Sequence, residues 1–327
     1  MMTDRFLHHL SPGLLLALSV FGAVSDANAQ SANAIRVVVP YGPGSPPDVA
    51  SRLIASELAE SAAWRVTVEN RPGALATIAM GDVLKQPADG HTVILLDIPM
   101  TAAPALFPNL KLRVETDFTP VVQISKECNV LVVTPSVPAR SVADLVAILK
   151  SQPDKFTFSS GSFGTPAHLI GEMFKLQTGV RATHVPYQGA QQRLMDLMSG
   201  INQVDFLATS LAVDLIATEK LRALAVTAPR RVAALKHVPT VVEQGFPDLV
   251  VEGWFGLAVK SGTAPDVIRR LNEAVNTVLA KQRIHDALAK LGAEPVGGTP
   301  AEFEILVKSQ VAYWGKVVRD SGLTMPR

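Results

Sequence analysis

Cysteine is almost absent from this sequence. Among its 327 residues only Cys128 carries a thiol, so no intrachain disulfide can form and stability must come from the burial of apolar side chains. Cys128 begins the apolar stretch CNVLVV at residues 128–133, which is typical of a buried strand. A catalytic thiol would need a neighbour that lowers its pKa, whereas a thiol buried among apolar side chains is inert. The sequence therefore predicts a structural cysteine.

Charge is also scarce and balanced. Charged residues make up 18% of the chain and the formal net charge is +1 with a pI near 7.9, so no basic face for nucleic acid is expected. Hydrophobic residues make up 48%, which is enough for a large core and too much for a disordered chain. No HExxH, CxxC or close His/Asp cluster occurs, so the sequence predicts neither a metal site nor a cofactor.

Long apolar runs are limited to the N-terminus. Residues 14–24 are apolar, Arg5 and two histidines precede them, and Ala27-Asn28-Ala29 follows. The run is shorter than the roughly 20 residues that span a bilayer, so an uncleaved anchor is the less favoured alternative. A basic start, a short apolar segment and an A-x-A site predict a signal peptide at 1–29, Sec-dependent export to the periplasm and cleavage near Ala29.

The remaining chain alternates short β-branched runs with amphipathic segments, which predicts an α/β fold with a parallel sheet flanked by helices. Its length fits two domains, and no flexible linker is visible. We therefore expect two lobes joined by crossing strands near residues 121–124 and 252–255. Two long helices, roughly 265–291 and 300–321, are predicted to close the chain, and the second begins with a capping box at Thr299 and Glu302.

Three strand-to-helix loops have unusual compositions. The first loop, PYGPGSPPD at residues 40–48, contains glycines that let the backbone approach a ligand, and it leads into a helix N-terminus. Ser45, Pro46 and Asp48 also fit the N-cap, N1 and N3 positions of that helix. A ligand loop and a well-capped turn are therefore equally good interpretations.

The second loop, SSGSFGTPAH at residues 159–168, is dense in hydroxyls and glycines, as an anion-binding loop should be. It has neither a Walker lysine nor a GxGxxG, so a nucleotide phosphate is not expected. His168 falls in the first helical turn, where ordering the loop is favoured over acting as a base. Ser162 with His168 is nevertheless the one pair that an exported α/β hydrolase could use, although the spacing is not that of a GxSxG elbow.

The third loop, HVPYQGA at residues 184–190, contains Tyr187. A tyrosine offers an apolar ring and a hydroxyl, which suits the wall of a pocket. A buried aromatic that follows a strand is an equally good interpretation.

At these loops the chain resembles a known family, the Bug (TctC) proteins, which are periplasmic receptors of tripartite tricarboxylate transporters. The matching segments follow the family order over nearly all of the chain after residue 30. They are VVPY at 38–41, VENRPGA at 68–74, DGHT at 89–92, PSVPA at 135–139, GSFGTPAH at 161–168, HVPY at 184–187, LRALAVT at 221–227, VPT at 238–240, WFGL at 254–257 and LGAEP at 291–295.

The resemblance implies a type II periplasmic-binding-protein fold, with two Rossmann-like lobes that close on a ligand in the cleft between them. Lobe 1 would comprise residues 30–125 plus 252–327, and lobe 2 residues 126–251. Family ligands are small carboxylates, including dicarboxylates, tricarboxylates and amino acids. Receptors of this kind perform no chemistry, act as monomers and deliver the ligand to integral-membrane transporter subunits or signal through a sensor kinase, and both roles fit the sequence.

The resemblance also places the ligand-binding residues, mainly in the first and second loops. Some match positions that hold a carboxylate in relatives, and the others neighbour them in the same loops. The full predicted set is Tyr41, Gly44, Ser45, Asp48, Thr77, Asp97, Ser160, Gly161, Ser162, Gly164, Thr165, His168, Tyr187 and Asp205.

This sequence departs from the family pattern at three places. A family glycine is replaced by Ser45, and Pro46 and Pro47 follow it without an N–H to donate. The family's Gly-Gly-Asn is replaced by Leu-Ala-Thr at residues 75–77. Asp97 follows a predicted strand where relatives have small hydroxylated residues, and it would repel an anion or pair with an ammonium. We therefore expect a ligand with fewer negative charges, or a more apolar body, than citrate.

Overall fold

The computed structural model describes residues 34–62 and 64–323. The predicted signal peptide lies outside the described residues. Within the described ranges, no helix is long and apolar enough to cross a membrane.

The described residues form ten strands. They are β1 Ala34–Val39, β2 Arg65–Asn70, β3 Thr92–Leu96, β4 Phe118–Val133, β5 Thr157–Ser160, β6 Thr183–Pro186, β7 Val204–Ala208, β8 Arg222–Val226, β9 Glu252–Lys260 and β10 Ala293–Gly297.

Eleven α-helices lie between and after these strands in the same part of the chain. They are α1 Pro46–Ala62, α2 Thr77–Leu84, α3 Ile98–Leu106, α4 Val114–Asp117, α5 Val142–Ser151, α6 Pro166–Thr178, α7 Ala190–Ser199, α8 Thr209–Ala217, α9 Pro265–Leu279, α10 Gln282–Lys290 and α11 Pro300–Ser321.

The strands pair in the order β2-β1-β3-β9-β4-β7-β5-β6, and β8 and β10 also pair with β4. β1 is parallel to β2 and β3, and β5 is parallel to β6 and β7, so each half of the sheet contains a parallel trio. β9 runs antiparallel to both β3 and β4. Helices connect the parallel strands, because a parallel pair needs a crossover connection. The α/β prediction is confirmed.

Strand β4 belongs to both halves of the sheet. Its first part, Phe118 to Cys128, pairs with β9 and, over a shorter stretch, with β10, while Asn129 to Val133 pairs with β7 and β8. A second connection runs beside it, because the Val251 N–H donates to the Thr227 carbonyl immediately before β9 begins. The sequence predicted the second part of this 16-residue strand and a crossing strand near residues 121–124, but not that the two form one strand.

Three apolar clusters form the core of the described residues. The largest contains residues of both halves of the sheet and includes the fully buried Trp314 of α11. α11 packs against α3, β4 and α6, so the last helix ties the halves together. Cys128 is buried in the third cluster, where burial raises the pKa of its thiol to about 11, and the prediction of an inert cysteine agrees with this position.

The predicted helix over 265–291 is wrong, because the chain breaks into α9 and α10 at Lys281, whose backbone is extended. The apolar stripe explains the break. Leu271, Val275 and Val278 lie on one face of α9, and the same face of a continuous helix would next contain residue 282, which is a glutamine. The stripe resumes out of phase at Ile284, and only a break lets both segments bury their apolar faces.

The short strand β10 follows α10 and was not predicted. It pairs antiparallel with β4, from Ala293 opposite Glu127 to Gly297 opposite Gln123. The capping box that begins α11 is confirmed: Thr299 Oγ1 accepts from the Glu302 N–H, and the Glu302 carboxylate accepts from the Thr299 N–H at 2.7 Å.

Candidate functional site

The predicted loops lie where parallel strands end and helices begin. α1 follows β1, α3 follows β3, α6 follows β5 and α8 follows β7, so four helix N-termini stand at the carboxyl ends of the sheet. The side chain of Leu75, after β2, contacts Gly164, after β5, which brings the loops of the two halves together. Ligands of open α/β sheets bind at such carboxyl ends. This space is the candidate cleft.

Asp48 holds the first loop in shape. Its buried carboxylate accepts hydrogen bonds from the Gly44 N–H at 2.8 Å, from Asn70 Nδ2 at 2.8 Å and from Arg52 Nε at 3.1 Å. Burial alone would raise the pKa of Asp48, but the bonds from Arg52, Asn70 and Gly44 outweigh it and lower that pKa. Asp48 is therefore an ionised organiser of the loop, and its predicted contact with a ligand is not supported by this geometry.

Few amides of the first loop are free. The Gly44 N–H donates to Asp48, the Ser45 N–H donates to the Gly42 carbonyl at 3.3 Å, and Pro46 and Pro47 have no N–H. The Ser45 hydroxyl donates to the Gly42 carbonyl at 2.8 Å, which replaces the predicted side-chain cap. The N–H groups of Tyr41 and Gly42 donate to no acceptor among the described residues, so the first loop offers an anion two unpaired amides ahead of α1.

Tyr41 and Asp97 meet at the base of the first loop. The Tyr41 hydroxyl donates to Asp97 Oδ2, while Asp97 Oδ1 is buried without a hydrogen-bond partner among the described residues. Burial raises the pKa of Asp97 to about 7. Burial and the charge of Asp97 raise the pKa of Glu127, in β4, to about 7 as well. Two weakly acidic carboxyl groups therefore lie together at this edge of the sheet.

Glu127 was missed by sequence reasoning. The available signal was an acidic residue directly before an apolar strand segment, but its proximity to Asp97 depends on the pairing of β3, β9 and β4.

Ser160 and Thr165 brace the second loop with their side chains. The Ser160 hydroxyl donates to the Ser162 carbonyl at 2.8 Å and lies 2.7 Å from His184 Nε2, which is therefore the donor in that bond. The Thr165 hydroxyl also donates to the Ser162 carbonyl, at 2.8 Å. Both hydroxyls are thus used within the loop, and the predicted ligand contacts of Ser160 and Thr165 stay predictions.

His168 orders the second loop, as the favoured interpretation held. Its Nδ1 accepts from the Gly164 N–H at 2.8 Å, and its ring stacks on His184 with 3.9 Å between centroids. Burial, with a smaller contribution from Lys175, lowers the pKa of His168 to about 4. Burial, followed by the charge of His168, lowers the pKa of His184 to about 3. Both rings are neutral at pH 7.

The Ser162–His168 pair is not arranged for catalysis. Ser162 is exposed, and no hydrogen bond joins it to His168 within the described ranges. The lone pair of His168 Nδ1 already receives the Gly164 N–H, so Nε2 carries the proton and faces Glu172 at 3.9 Å. A general base needs a free lone pair within reach of the nucleophile.

Several amides of the second loop remain unpaired. In the part of the chain that the structure describes, the N–H groups of Gly161, Ser162, Phe163 and Thr165 donate to no protein acceptor. They precede α6, a helix of 13 residues that begins with Pro166. Unpaired amides and the positive end of a helix dipole together form a site for an anion. Gly161, Ser162 and Thr165 therefore have backbone N–H groups available for the predicted ligand contacts, which stay predictions.

Arg193 lies beneath the second loop. It is nine-tenths buried and binds the fully buried Asp205 through two hydrogen bonds, one of them from Nε at 2.7 Å. The Ser159 hydroxyl also donates to Asp205, so both carboxylate oxygens are occupied and the predicted ligand contact of Asp205 is unsupported. A Cβ built on Gly161 would lie 3.6 Å from Arg193 Nη1, which places the guanidinium against the loop.

Arg193 was another residue that sequence reasoning missed as functional. The one signal for it was an arginine on the otherwise apolar face of α7.

The hydroxyls of Tyr187 and Thr77 form hydrogen bonds within the protein. Tyr187 donates to Asp196 at 2.6 Å, and Thr77 donates to the Ala74 carbonyl at 2.8 Å. The half-buried Tyr187 ring is still placed to form a wall.

A cavity of about 750 Å³ opens beside β4 and β10, and Glu127 of the acidic pair is among its lining residues. Its lining mixes basic and acidic side chains, among them Lys126, Arg230, Glu252 and Glu294. None of the predicted ligand-binding residues lines it, and its charges nearly cancel. The cleft at the strand ends is the better candidate, because it contains unpaired amides at a helix N-terminus.

Comparison with known proteins agrees with this geometry. A family model described as the tripartite tricarboxylate transporter family receptor matches residues 50–323. Protein BugT of Bordetella pertussis strain Tohama I is 32% identical over 312 residues, which cover 95% of this chain and 96% of that protein.

Solved structures show the same similarity. R. palustris Rpa4515 with adipate gives a TM-score of 0.80 at 34% identity and covers 89% of this chain and 98% of that one. MatC (Rpa3494) from Rhodopseudomonas palustris with bound malate gives 0.78 at 29% identity, covering 87% and 98%. The periplasmic binding protein BugD gives 0.78 at 26% identity, covering 89% and 98%.

The chain thus has the type II periplasmic-binding-protein fold, with two Rossmann-like lobes and a ligand cleft between them. Because the family model spans most of the sequence and the relatives align over nearly their full lengths, this chain belongs to the tripartite tricarboxylate transporter receptor family of periplasmic solute-binding proteins.

Proposed function

We propose that this protein captures a small carboxylate in the cleft between its lobes, by closure of the lobes, and performs no chemistry on it. The observation that carries the proposal is the set of unpaired amides in the second loop at the N-terminus of α6. A ligand carboxylate can accept from several of them at once. Each hydrogen bond to a charged group contributes about 1.5–3 kcal/mol. Adipate and malate, bound to two related structures, are ligands of this class.

The acidic pair near the first loop restricts the charge of the ligand. Asp97 and Glu127 become negative as the pH rises through about 7, and neither has a basic hydrogen-bond partner among the described residues. Negative charge on this side repels a second or third ligand carboxylate and attracts an ammonium. We therefore infer a mono- or dicarboxylate or an amino acid in preference to citrate. Citrate binding as tight as that of any monocarboxylate would contradict this preference.

Closure is proposed to be a hinge motion about β4 and the segment before β9. Lobe 1 is proposed to comprise residues 30–125 plus 252–327, and lobe 2 residues 126–251. Support comes from β4, whose pairing partners change between Cys128 and Asn129. Closing is a shift of populations, so a ligand drives it only as far as its preference for the closed state allows.

The wider role is proposed from the family and the N-terminus. We infer that a signal peptide cleaved near Ala29 directs the chain through the Sec pathway to the periplasm. There the monomeric, ligand-bound receptor would present its closed surface to transporter subunits in the membrane or to the outer part of a sensor kinase.

A thermal-shift screen of the mature chain, confirmed by calorimetry, tests the proposal. The panel contains acetate, malate, adipate, glutamate and citrate. Ligand at about a hundred times its dissociation constant adds about 2.7 kcal/mol of stability, which is a visible rise in melting temperature. Selective shifts by carboxylates with one or two charges are expected. No shift with any carboxylate, together with hydrolysis of an ester panel that Ser162→Ala abolishes, would instead favour an exported α/β hydrolase.

A further inference from the structure

The turn after β2 has an unusual backbone. Ala74, Leu75 and Ala76 all have positive φ angles, of 45°, 51° and 67°. Left-handed backbone is unfavourable for a residue with a Cβ, so three such residues in succession persist only where the surroundings fix them. Here the Ala76 N–H donates to the Gly73 carbonyl at 3.0 Å, and the Thr77 hydroxyl donates to the Ala74 carbonyl.

This turn aims Leu75 across the cleft. A Cβ built on Gly164 would lie 2.6 Å from Leu75 Cδ2 and 3.0 Å from Leu75 Cγ. Carbon atoms do not approach so closely, so the isobutyl group occupies the place where any side chain at residue 164 would stand. Gly164 itself has φ +69°, which also disfavours other residues. The two residues are complementary in shape, although they lie on loops from different halves of the sheet.

The position of Gly164 gives this contact its importance. Gly164 lies inside the second loop, between the unpaired amides of Gly161 and Thr165, and its own N–H is taken by His168. Leu75 therefore covers the part of the loop that has no amide to offer. Its side chain is half-buried: one part packs on the largest apolar cluster and the rest remains accessible. The accessible part forms an apolar boundary next to the anion-binding amides.

We propose that Leu75 is a specificity-determining residue, which closes this end of the cleft by bridging to Gly164 and limits the ligand body beyond the bound carboxylate to a short chain. This inference rests on the proposed function of the same cleft. Each added methylene that must displace an isobutyl group weakens binding, since one methylene in a fitted apolar site changes affinity about 10–200-fold.

Leu75→Gly is the informative variant, because glycine adopts the left-handed turn without strain and only the side chain is lost. Calorimetry with malonate, succinate, glutarate and adipate gives the ratio of the affinity for adipate, the longest diacid, to the affinity for malonate, the shortest. We expect this ratio to rise about tenfold or more in Leu75→Gly. Ile78→Ala is the matched control. It removes an apolar side chain that is 53% exposed from the same segment, and it should leave the ratio unchanged. A ratio unchanged in Leu75→Gly would overturn the proposal.

Hydrogen exchange of the unliganded protein separates this inference from the proposed function. Loss of the bridge should speed exchange of the amides at residues 161–165 about threefold or more in Leu75→Gly and not in Ile78→Ala. If no carboxylate of the panel binds the wild type, the proposed function fails, while faster exchange in Leu75→Gly would still support the closing role of Leu75. Unchanged exchange would overturn that role whatever the ligand.

Discussion

The first and second loops look alike in sequence but use their backbones differently. Both connect a parallel strand to a helix, and each contains two glycines and a proline at the first position of the helix. In the first loop, the amides of Gly44 and Ser45 are taken internally and two prolines replace the next donors. In the second loop, serine, threonine and histidine side chains hold the backbone while four amides stay unpaired. A helix N-terminus binds an anion only where its amides are free.

Removing the buried Arg193–Asp205 pair beneath the second loop should give the largest effect. Arg193→Met leaves Asp205 buried without its partner, and breaking a buried pair in this way costs about 3–5 kcal/mol. Urea denaturation should show a free energy of unfolding lower by that amount, and the variant should also lose carboxylate binding. Arg231→Met is the matched control, since its pair with Glu243 is exposed and should contribute less than about 1 kcal/mol. Equal effects of the two variants would show that the second loop needs no buried support.

Asp97 should make the folded protein less stable as the pH rises from about 4 to about 7. Unfolded Asp97 ionises near its ordinary pKa of 3.8, whereas the folded group stays protonated up to about 7. The folded state therefore loses up to about 1.4 kcal/mol for each pH unit between these values, and the loss is complete above about 7. Asp97→Asn, which keeps an acceptor for Tyr41, should stabilise the unliganded protein by a few kcal/mol more at pH 8 than at pH 4. An equal effect at both pH values would contradict this.

The stacked histidines should make the second loop sensitive to acid, in the opposite sense. The folded-state pKa values of His168 and His184, about 4 and about 3, lie below the ordinary 6.5. The unfolded chain therefore binds more protons as the pH falls below 6.5, and stability falls with it, by on the order of 2 kcal/mol per histidine at pH 5. Urea denaturation of the wild type and of His184→Phe at pH 7 and pH 5 checks this. His184→Phe keeps a stacking ring and should gain about 2 kcal/mol relative to the wild type at the lower pH, and comparison with the wild type cancels the opposite contributions of Asp97 and Glu127.

Restoring one amide N–H to the first loop should give the smallest of these effects, a change in carboxylate affinity. Pro46→Ala adds an N–H at the first position of α1, and a new hydrogen bond to a charged group can tighten carboxylate binding about tenfold. Pro300→Ala, the same change at the start of α11, is the control and should leave affinity unchanged. If both variants bind equally well, the carboxylate contacts the second loop alone.

Much of the fold was predictable because alternating short strands and amphipathic helices are local patterns. The capping box at Thr299 and the loop-ordering role of His168 were predictable for the same reason, since each depends on residues within four positions. The break at Lys281 was also readable, as a change of phase in the apolar stripe. Local sequence patterns therefore predict both the helices and their caps.

Apart from that break, the missed features depend on residues distant in sequence. Arg193 reaches Asp205 from a neighbouring helix, and Glu127 is influenced by Asp97 only because β9 lies between their strands. Hydroxyl and carboxylate groups of the loops were therefore predicted as ligand contacts when most are already bonded within the protein. Residue type indicates where a hydrogen bond can form, and only the tertiary structure shows whether the partner is already present.

The position of Cys128 makes its thiol a native labelling probe for this part of the structure. Its thiol lies at the point where β4 changes partners, is buried, and contacts the Thr209 hydroxyl at 3.3 Å. Cys128 also lines the cavity of about 750 Å³ beside β4 and β10, and no other thiol competes for a label that enters there. The rate of alkylation should therefore report on the surroundings of the proposed hinge in the native chain, and a ligand that closes the cleft should change that rate without any engineered probe.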